Sequence, residues 1–231
     1  MKISVIIPAK NEEKYIKKTL ESLKNQDFKE FEVIVVDSSI DSTPKIAKNF
    51  GARVIFEKRK GVAIARNKGA KYAKGEVLVF LDADTIAPKH LLRTYLKIFE
   101  DKKVVAATGP VKPISNNLFY KVGYWFVSDF FVRFCFLIGR NIIMGMNFAV
   151  RKEIFEKEKG FNENFQTFED WDLALRLRKY GKIAFCKEAF VYSSERRVKK
   201  WGVLKFFVFH VSNIFRYIFL KKPKEEYEEI R

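Results

Sequence analysis

Short apolar runs recur through the first half of this chain, each followed by a polar turn and then by apolar residues at helical spacing. Ile3 to Ile7 and Phe31 to Val36 read as strands, the second ending on Asp37. Val54 to Phe56, Val77 to Leu81 and Val104 to Ala107 read the same way. Between the first two, Tyr15, Ile16, Leu20 and Leu23 fall on one helical face, with Glu12 and Glu13 in the favourable first turn. Thr43-Pro44 predicts an N-cap followed by proline at the first helical position, and Gly51 a helix end. Gly61 to Lys74 and Leu91 to Phe99 supply two more helices. This alternation predicts an α/β fold: one Rossmann-like, mostly parallel sheet covered by helices. The 231 residues suffice for one large domain with a sizeable core.

After Pro113 the pattern changes. Residues 118–138 carry nine aromatics and residues 201–220 carry seven, of 36 in the chain. Lys121, Asp129 and Arg133 interrupt the first stretch, and Lys205, His210 and Arg216 the second, so neither reads as a bilayer span. Both read as amphipathic aromatic helices, suited to a membrane interface, to packing on the sheet or to pairing in a homodimer. The interfacial reading is favoured for 201–220. Ile142 to Val150 reads as a further strand with Gly145 inside it. Glu169-Asp170-Trp171-Asp172 opens a helix running to Tyr180 and stopped by Gly181. The division drawn is a unit over 1–195 and a basic, aromatic extension over 196–231, whose tail from Lys221 to Arg231 reads as exposed and frayed.

Charge narrows the partners. With 45 basic against 28 acidic residues the net charge is +17, which points to a polyanionic partner. Cys135 and Cys186 lie in apolar runs and read as buried thiols in a reducing compartment. Five residues between Lys2 and Pro8 are too few for a signal-peptide core, so a cytoplasmic location is expected. Ser193 to Arg197, with Lys199, Lys200 and Trp201, sets a cationic cluster ahead of the last aromatic stretch. That cluster would suit peripheral contact with an anionic membrane on its cytosolic face, or a pyrophosphate-linked acceptor held by Arg196 and Arg197.

The chemistry sits at strand ends. Asp82-Ala83-Asp84 follows the Val77 strand, and in open α/β sheets the ligand crevice lies beyond the carboxyl ends of the strands. Two carboxylates there can hold a hard divalent cation, Mg²⁺ or Mn²⁺, which in turn holds a diphosphate. Pro8-Ala9-Lys10-Asn11-Glu12 and Asp37 should open on the same edge, with Asp37 accepting from a base or ribose. Arg66 would pair with a phosphate or position an acid. The Glu169-Asp170 pair would supply a base for an attacking hydroxyl, and Asp170 and Asp172 cannot share one helical face. A basic nucleic-acid binder would explain the charge but not the acids at the strand ends, so no nucleic-acid partner is expected. A nucleotidyltransferase would need a glycine-rich loop after the first strand, which Pro8 to Glu12 lacks.

Ser4 to Glu12, Val35-Val36-Asp37-Ser38, Ala65-Arg66-Asn67, Leu81 to Asp84 and Glu169 to Leu173 together resemble the ordered motifs of family 2 inverting glycosyltransferases. The resemblance covers about residues 2–195 and implies the A-type glycosyltransferase fold. It implies that Pro8, Ala9, Asn11, Glu12, Asp37 and Arg66 line the site of a nucleotide-diphospho-sugar, either a UDP- or a GDP-sugar. Asp82 would approach ribose and metal, Asp84 would ligate the metal, and Asp170 would be the base. Gly145-Met146-Asn147-Phe148 resembles the segment under the donor sugar, which puts Met146 and Asn147, with Glu169 and Trp171, in the sugar or acceptor pocket. The processive Gln-x-x-Arg-Trp signature is absent, so the expected reaction is nonprocessive transfer to a hydroxyl of a glycan or lipid-linked acceptor. A dolichyl-phosphate sugar transferase is the alternative.

Overall fold

The structure, a computed structural model, describes residues 2–220; the tail from 221 onward lies outside the described residues. In chain order the elements are β1 (Ile3–Ala9), α1 (Ile16–Lys24), β2 (Phe31–Asp37), α2 (Thr43–Asn49), β3 (Arg53–Phe56), α3 (Val62–Tyr72) and β4 (Val77–Leu81). Next come β5 (Thr85–Ile86), α4 (Leu91–Glu100), β6 (Val104–Thr108) and β7 (Val111–Pro113). Then α5 (Leu118–Tyr124), a π-helical stretch (Trp125–Phe131) and α6 (Val132–Leu137) run on without a break. The rest is β8 (Asn147–Arg151), α7 (Lys152–Lys157), α8 (Glu169–Leu177), β9 (Lys182–Phe185), β10 (Val191–Ser193), α9 (Arg196–Trp201) and α10 (Val203–Leu220).

Seven strands form the main sheet in the order β3-β2-β1-β4-β8-β6-β9. All neighbours pair in parallel except around β8, which is antiparallel to both β4 and β6. The expected α/β architecture is therefore present. Every residue of β4 is buried, as a strand covered on both faces requires. A second sheet, β5-β10-β7, was not expected, because its strands are only two or three residues long. It ties the turn after Asp84 to the segment entering α9 through the pairs Tyr192–Ile86 and Ser193–Thr85.

Helix positions follow from side-chain size. Leu91, Leu92, Tyr95 and Phe99 form the buried stripe of α4. The buried face of α3 is Ala63, Arg66, Gly69 and Ala70. A Cβ at Gly69 would come within 2.4 Å of Ile6 Cγ2, so only glycine lets α3 settle this close to the sheet. That approach carries Arg66, one turn earlier, over the strand ends. On this side of the sheet Phe80 stacks on Phe148 at 4.7 Å, and Phe155 and Phe161 close the cluster.

Several local expectations are corrected. Helix α1 begins only at Ile16, with no acid in its first turn; the carbonyl of Glu12 instead accepts from the Tyr15 and Ile16 amides. Ser42, not Thr43, is the N-cap of α2. The strand expected from Ile142 starts at Asn147, since the chain turns between Met144 and Asn147. Helix α8 ends at Leu177.

Candidate active site

The carboxyl ends of β1, β2 and β4 open on one edge, and short polar bonds fix their loops. Asp37, buried at the end of β2, accepts from Ser39 Oγ at 2.7 Å and from the Ser39 amide at 3.2 Å. Burial pushes its carboxyl upward against those two donors. Ser39 Oγ also accepts from the Asn11 amide at 2.7 Å, and Asn11 Oδ1 accepts from the Ile40 amide at 2.9 Å. Asn11 can do this because it holds a left-handed φ of 52°, which asparagine tolerates. Pro8 and Ala9 are the last residues of β1 and pair with Val36 and Asp37. On β4, the Ala83 carbonyl accepts from Thr19 Oγ1 at 2.7 Å, which sets the Asp82-Ala83-Asp84 turn.

Two guanidiniums divide the acids. Arg66, 3% exposed, donates to Glu169 Oε1 at 2.7 Å and to Asp82 Oδ1 at 3.0 Å, with its charge over the Phe161 ring. Burial alone would lower its basicity, but Asp82, Glu169 and Asp170 outweigh that and keep it charged. Arg196 grips both oxygens of Glu12 at 2.7 Å, and its Nε lies 3.0 Å from Asp84 Oδ2. Tyr15 lies beneath it, 4.7 Å from ring centre to charge. The Asp84 side chain is only 10% exposed. Burial pushes it up to about 7 although Arg196 pulls the other way, with Asp82 and Glu12 adding to the rise.

Asp170 is held differently. Its Oδ2 accepts from the Gly145 amide at 2.8 Å and its Oδ1 from the Trp171 amide at 2.8 Å. A Cβ at Gly145 would sit 2.9 Å from both Asp170 Oδ2 and Arg66 Nη1, so the glycine is needed for this contact. Burial raises the affinity of both Glu169 and Asp170 for a proton, and Asp170 adds to the rise at Glu169. Phe168 precedes α8 at a left-handed φ of 64°, anchored by the rings of Trp171 and Tyr217. Asp172 points elsewhere, to Arg176 Nε at 2.8 Å and the Tyr217 hydroxyl at 3.2 Å, so the two aspartates have different partners.

Asn147 does not join the sugar pocket. It is wholly buried; Nδ2 donates to the Gly109 and Ala189 carbonyls, and Oδ1 accepts from the Tyr95 hydroxyl at 2.7 Å. A buried amide with all these bonds is a structural tie between β8, α4 and the entry to β10. Met146 is half-buried beside Gly145, packed on the core. The Trp171 side chain packs with Val132, Cys135 and Ile142. Arg197 lies over the Trp201 ring at 5.3 Å, whereas Arg196, the first residue of the extension drawn from 196, reaches back into the site. Gly145, Ser39 and Tyr15 were not among the expected site residues. Gly145 acts through its backbone amide, Ser39 through its hydroxyl and amide, and Tyr15 through its ring, contacts that only the fold brings together.

A search of protein families finds that the model for glycosyl transferase family 2 matches residues 4–158. The chain belongs to that family. A dolichyl N-acetyl-alpha-D-glucosaminyl phosphate 3-beta-D-2,3-diacetamido-2,3-dideoxy-beta-D-glucuronosyltransferase of Methanococcus voltae is 28% identical over 230 residues, covering 86% of this glycosyltransferase and 69% of its own length. The probable glycosyltransferase YdaM of Bacillus subtilis is 30% identical over 215 residues, covering 84% of this chain but only 51% of YdaM. This chain thus spans about half to two thirds of these relatives. Among solved structures, S. aureus TarS 1-349 superposes with a TM-score of 0.69 at 22% identity, over 98% of this chain and 67% of that one. The mannosyltransferase PcManGT of Pyrobaculum calidifontis, in complex with GDP-Man and Mn²⁺, gives 0.66 at 21%, over 91% and 64%. These likenesses show the A-type fold.

The charge balance of the transferase site bears on a metal. Among the described residues, Arg66 pairs with Asp82 and Glu169 and Arg196 with Glu12 and Asp84, while Asp170 is held by a backbone amide, so five acids gather around these two guanidiniums. Among the described residues no three His, Cys, Asp or Glu side chains are grouped to hold an ion by themselves. An acid-rich pocket with too few protein ligands for a complete cage fits Mg²⁺ or Mn²⁺ arriving with phosphate oxygens, since such ions commonly take one or two carboxylates and a substrate phosphate.

Proposed function

We propose that this glycosyltransferase moves one sugar from a UDP- or GDP-sugar to a hydroxyl of a lipid-linked or surface-glycan precursor, with inversion, nonprocessively, and with Mg²⁺ or Mn²⁺. Its working place would be the cytosolic face of an anionic membrane. The observation that carries the reading is the Asp170 carboxylate held by the Gly145 amide at 2.8 Å, across Arg66 from Asp82. Asp37, Asn11 and the Pro8–Ala9 strand end would bind the nucleoside, and Asp84 and Asp82 would hold the metal. When bound, the metal neutralises charge on the departing diphosphate. The acceptor hydroxyl loses its proton to Asp170 as its oxygen bonds to the anomeric carbon. The bond to the diphosphate breaks on the opposite face and the diphosphate leaves with the electron pair, which inverts the centre. Arg66 keeps Glu169 and Asp82 in register, and the raised proton affinity of Asp170 suits a base.

Relatives support the substrate classes. TarS has been seen with UDP-GlcNAc and PcManGT with GDP-Man and Mn²⁺, and the Methanococcus protein is named for a dolichyl-phosphate-linked acceptor. A thermal-shift panel of UDP-, GDP- and dTDP-sugars, each with Mn²⁺, Mg²⁺ or EDTA, tests the donor half. The stabilising term RT ln(1 + [L]/Kd) should single out one nucleotide and vanish with EDTA. The anomeric configuration of the product, read by NMR, tests inversion. Equal shifts across the panel, or a retained configuration, would overturn this reading.

A further inference from the structure

Helix α5, the π-helical stretch and α6 form one rod of about 30 Å whose polarity is reversed. Its inner line, Tyr124, Ser128, Val132 and Cys135, faces the protein, and Ser128 Oγ donates to the Tyr124 carbonyl at 2.7 Å and accepts from the Val111 amide at 3.1 Å. The outer line is Phe119, Val122, Phe126, Phe130, Phe134 and Leu137, all exposed. Among the described residues, ten of the seventeen exposed large apolar side chains lie within 118–138. Phe126 stacks on Phe130 at 5.5 Å and Trp125 lies 5.8 Å from Phe130, so the outer face is a continuous aromatic surface. A helix facing water would carry polar residues there.

Charge identifies what covers it. Residues 111–140 contain Lys112, Lys121, Arg133 and Arg140 against one acid, Asp129, which Arg133 already holds. Lys112 and Lys121 open on a groove of about 340 Å³ walled by Trp125, Tyr124 and Asn116. Helix α9 borders the same end, where Lys199 Nζ lies 5.6 Å from the Tyr120 ring and is paired with Glu195 at 3.3 Å. A second copy would bring this cationic rim against itself, which disfavours a dimer through this face. The segment 221–231, Lys-Lys-Pro-Lys-Glu-Glu-Tyr-Glu-Glu-Ile-Arg, has too few apolar residues to cover it. No helix among the described residues is long and apolar enough to cross a membrane.

We propose that the outward face of residues 118–138 is a membrane-docking surface lying in the headgroup region of an anionic phospholipid bilayer, with Lys112 and Lys121 on its phosphates. The aromatic rings enter the headgroup–acyl boundary and the cations stay at its rim. This deepens the membrane part of the proposed function and moves it from residues 201–220 to this rod. Trp171, next to Asp170 in sequence, packs with Val132 and Cys135 on the rod's inner side, so the rod is in contact with the helix that carries Asp170.

The test is co-sedimentation of the full chain with phosphatidylcholine vesicles, with and without phosphatidylglycerol. The wild type should bind only the anionic vesicles, with a blue shift of tryptophan emission that Trp125→Phe removes. Phe126→Asp with Phe130→Asp should weaken binding at least about tenfold, and Lys112→Glu with Lys121→Glu should remove the preference for phosphatidylglycerol. Val208→Asp, on the exposed side of α10, should bind as the wild type does. Binding that survives the double aspartate variant, or that Val208→Asp abolishes, overturns the proposal. So does a wild type that ignores vesicles and sediments as a dimer. Should the aspartate pair unfold the chain, the lysine pair and the Trp125 emission still decide it. Donor-induced thermal shift in the same samples separates the outcomes: its loss with vesicle binding intact sinks the donor reading and spares this one.

Discussion

Arg66 and Arg196 each hold two carboxylates, one of them from the Asp82–Asp84 turn, yet they are built differently. Arg66 stands in the middle of α3 with 3% of its surface exposed, sandwiched between Gly145 and the Phe161 ring. Arg196 opens α9 at the rim, 19% of its side chain exposed, resting on Tyr15. A buried guanidinium between two acids cannot leave without stranding charge. One at the rim can exchange its carboxylates for water or for a ligand. The pair thus divides the site into a fixed half, Asp82 with Glu169, and an adjustable half, Asp84 with Glu12.

The largest effect should come from breaking the fixed half. Arg66→Gln leaves Glu169 buried beside Asp170 with no countercharge, and removing one partner of a buried pair costs about 3–5 kcal/mol. Chemical denaturation should show a loss of that order, together with loss of transfer. Adding Glu169→Gln should recover most of the stability, because the two sites are coupled through one contact. A stability loss no greater than that of an exposed arginine would show that the two halves are alike.

Asp170 lies on the fixed side and should separate binding from chemistry. Asp170→Asn preserves shape and removes basicity, so turnover should fall about 10²–10⁴-fold with donor affinity nearly unchanged. Single-turnover assays beside calorimetric donor titration measure both. Loss of donor affinity with turnover of bound donor intact would put Asp170 in the donor site. Unchanged turnover would pass the role to Glu169 or Asp172, or point to a phosphate acceptor that needs no base.

The contrast between the two arginines also marks what could be read from the sequence. Strands β1, β2 and β4 were legible because a strand buried on both faces is a continuous apolar run, and the acids at their ends are local. Arg66 was legible as a site residue on the helix that follows β3, but not whether it pairs with a phosphate or positions an acid; its contacts with Glu169 and Asp82 come from the fold. The reversal of β8 was not, because strand direction leaves no trace in composition. The clamp of Arg196 on Glu12 spans 184 residues and depends on the second sheet, whose strands of two or three residues have no pattern to detect. Asn147 was misassigned for a related reason: a polar residue beside a glycine turn looks like a site, and only the carbonyls of Gly109 and Ala189 reveal it as a tie.

On the adjustable half, Asp84→Asn should abolish metal-dependent donor binding, seen as loss of the Mn²⁺-dependent part of the donor's thermal shift. The fold should persist, because burial already pushes this carboxyl up to about 7 and a neutral group there is tolerated. Asp82→Asn should lose less, since its carboxyl is 32% exposed and already held by Arg66. Equal metal-dependent shifts in the wild type and Asp84→Asn would remove Asp84 from the metal site.

The smallest effect on stability, and the sharpest test of the contrast, belongs to Arg196→Gln. The side chains of this cluster are 10–19% exposed, between a surface and a buried pair, so the loss should be about 1–3 kcal/mol, below that of Arg66→Gln. Its signature lies in the response to cations. Without the guanidinium, Glu12 and Asp84 become an uncompensated pair of carboxylates beside Asp82, which is a better seat for a hard divalent ion. Mn²⁺ alone, without nucleotide, should therefore stabilise Arg196→Gln more than it stabilises the wild type, and Arg196→Lys should fall between them. Arg66→Gln should show a smaller gain, because of the two carboxylates it releases, Asp82 and Glu169, only Asp82 belongs to the Asp82–Asp84 turn. A gain in the Arg66 variant equal to that in the Arg196 variant would mean that both arginines screen one common pool of charge, and the division between a fixed and an adjustable half would fail.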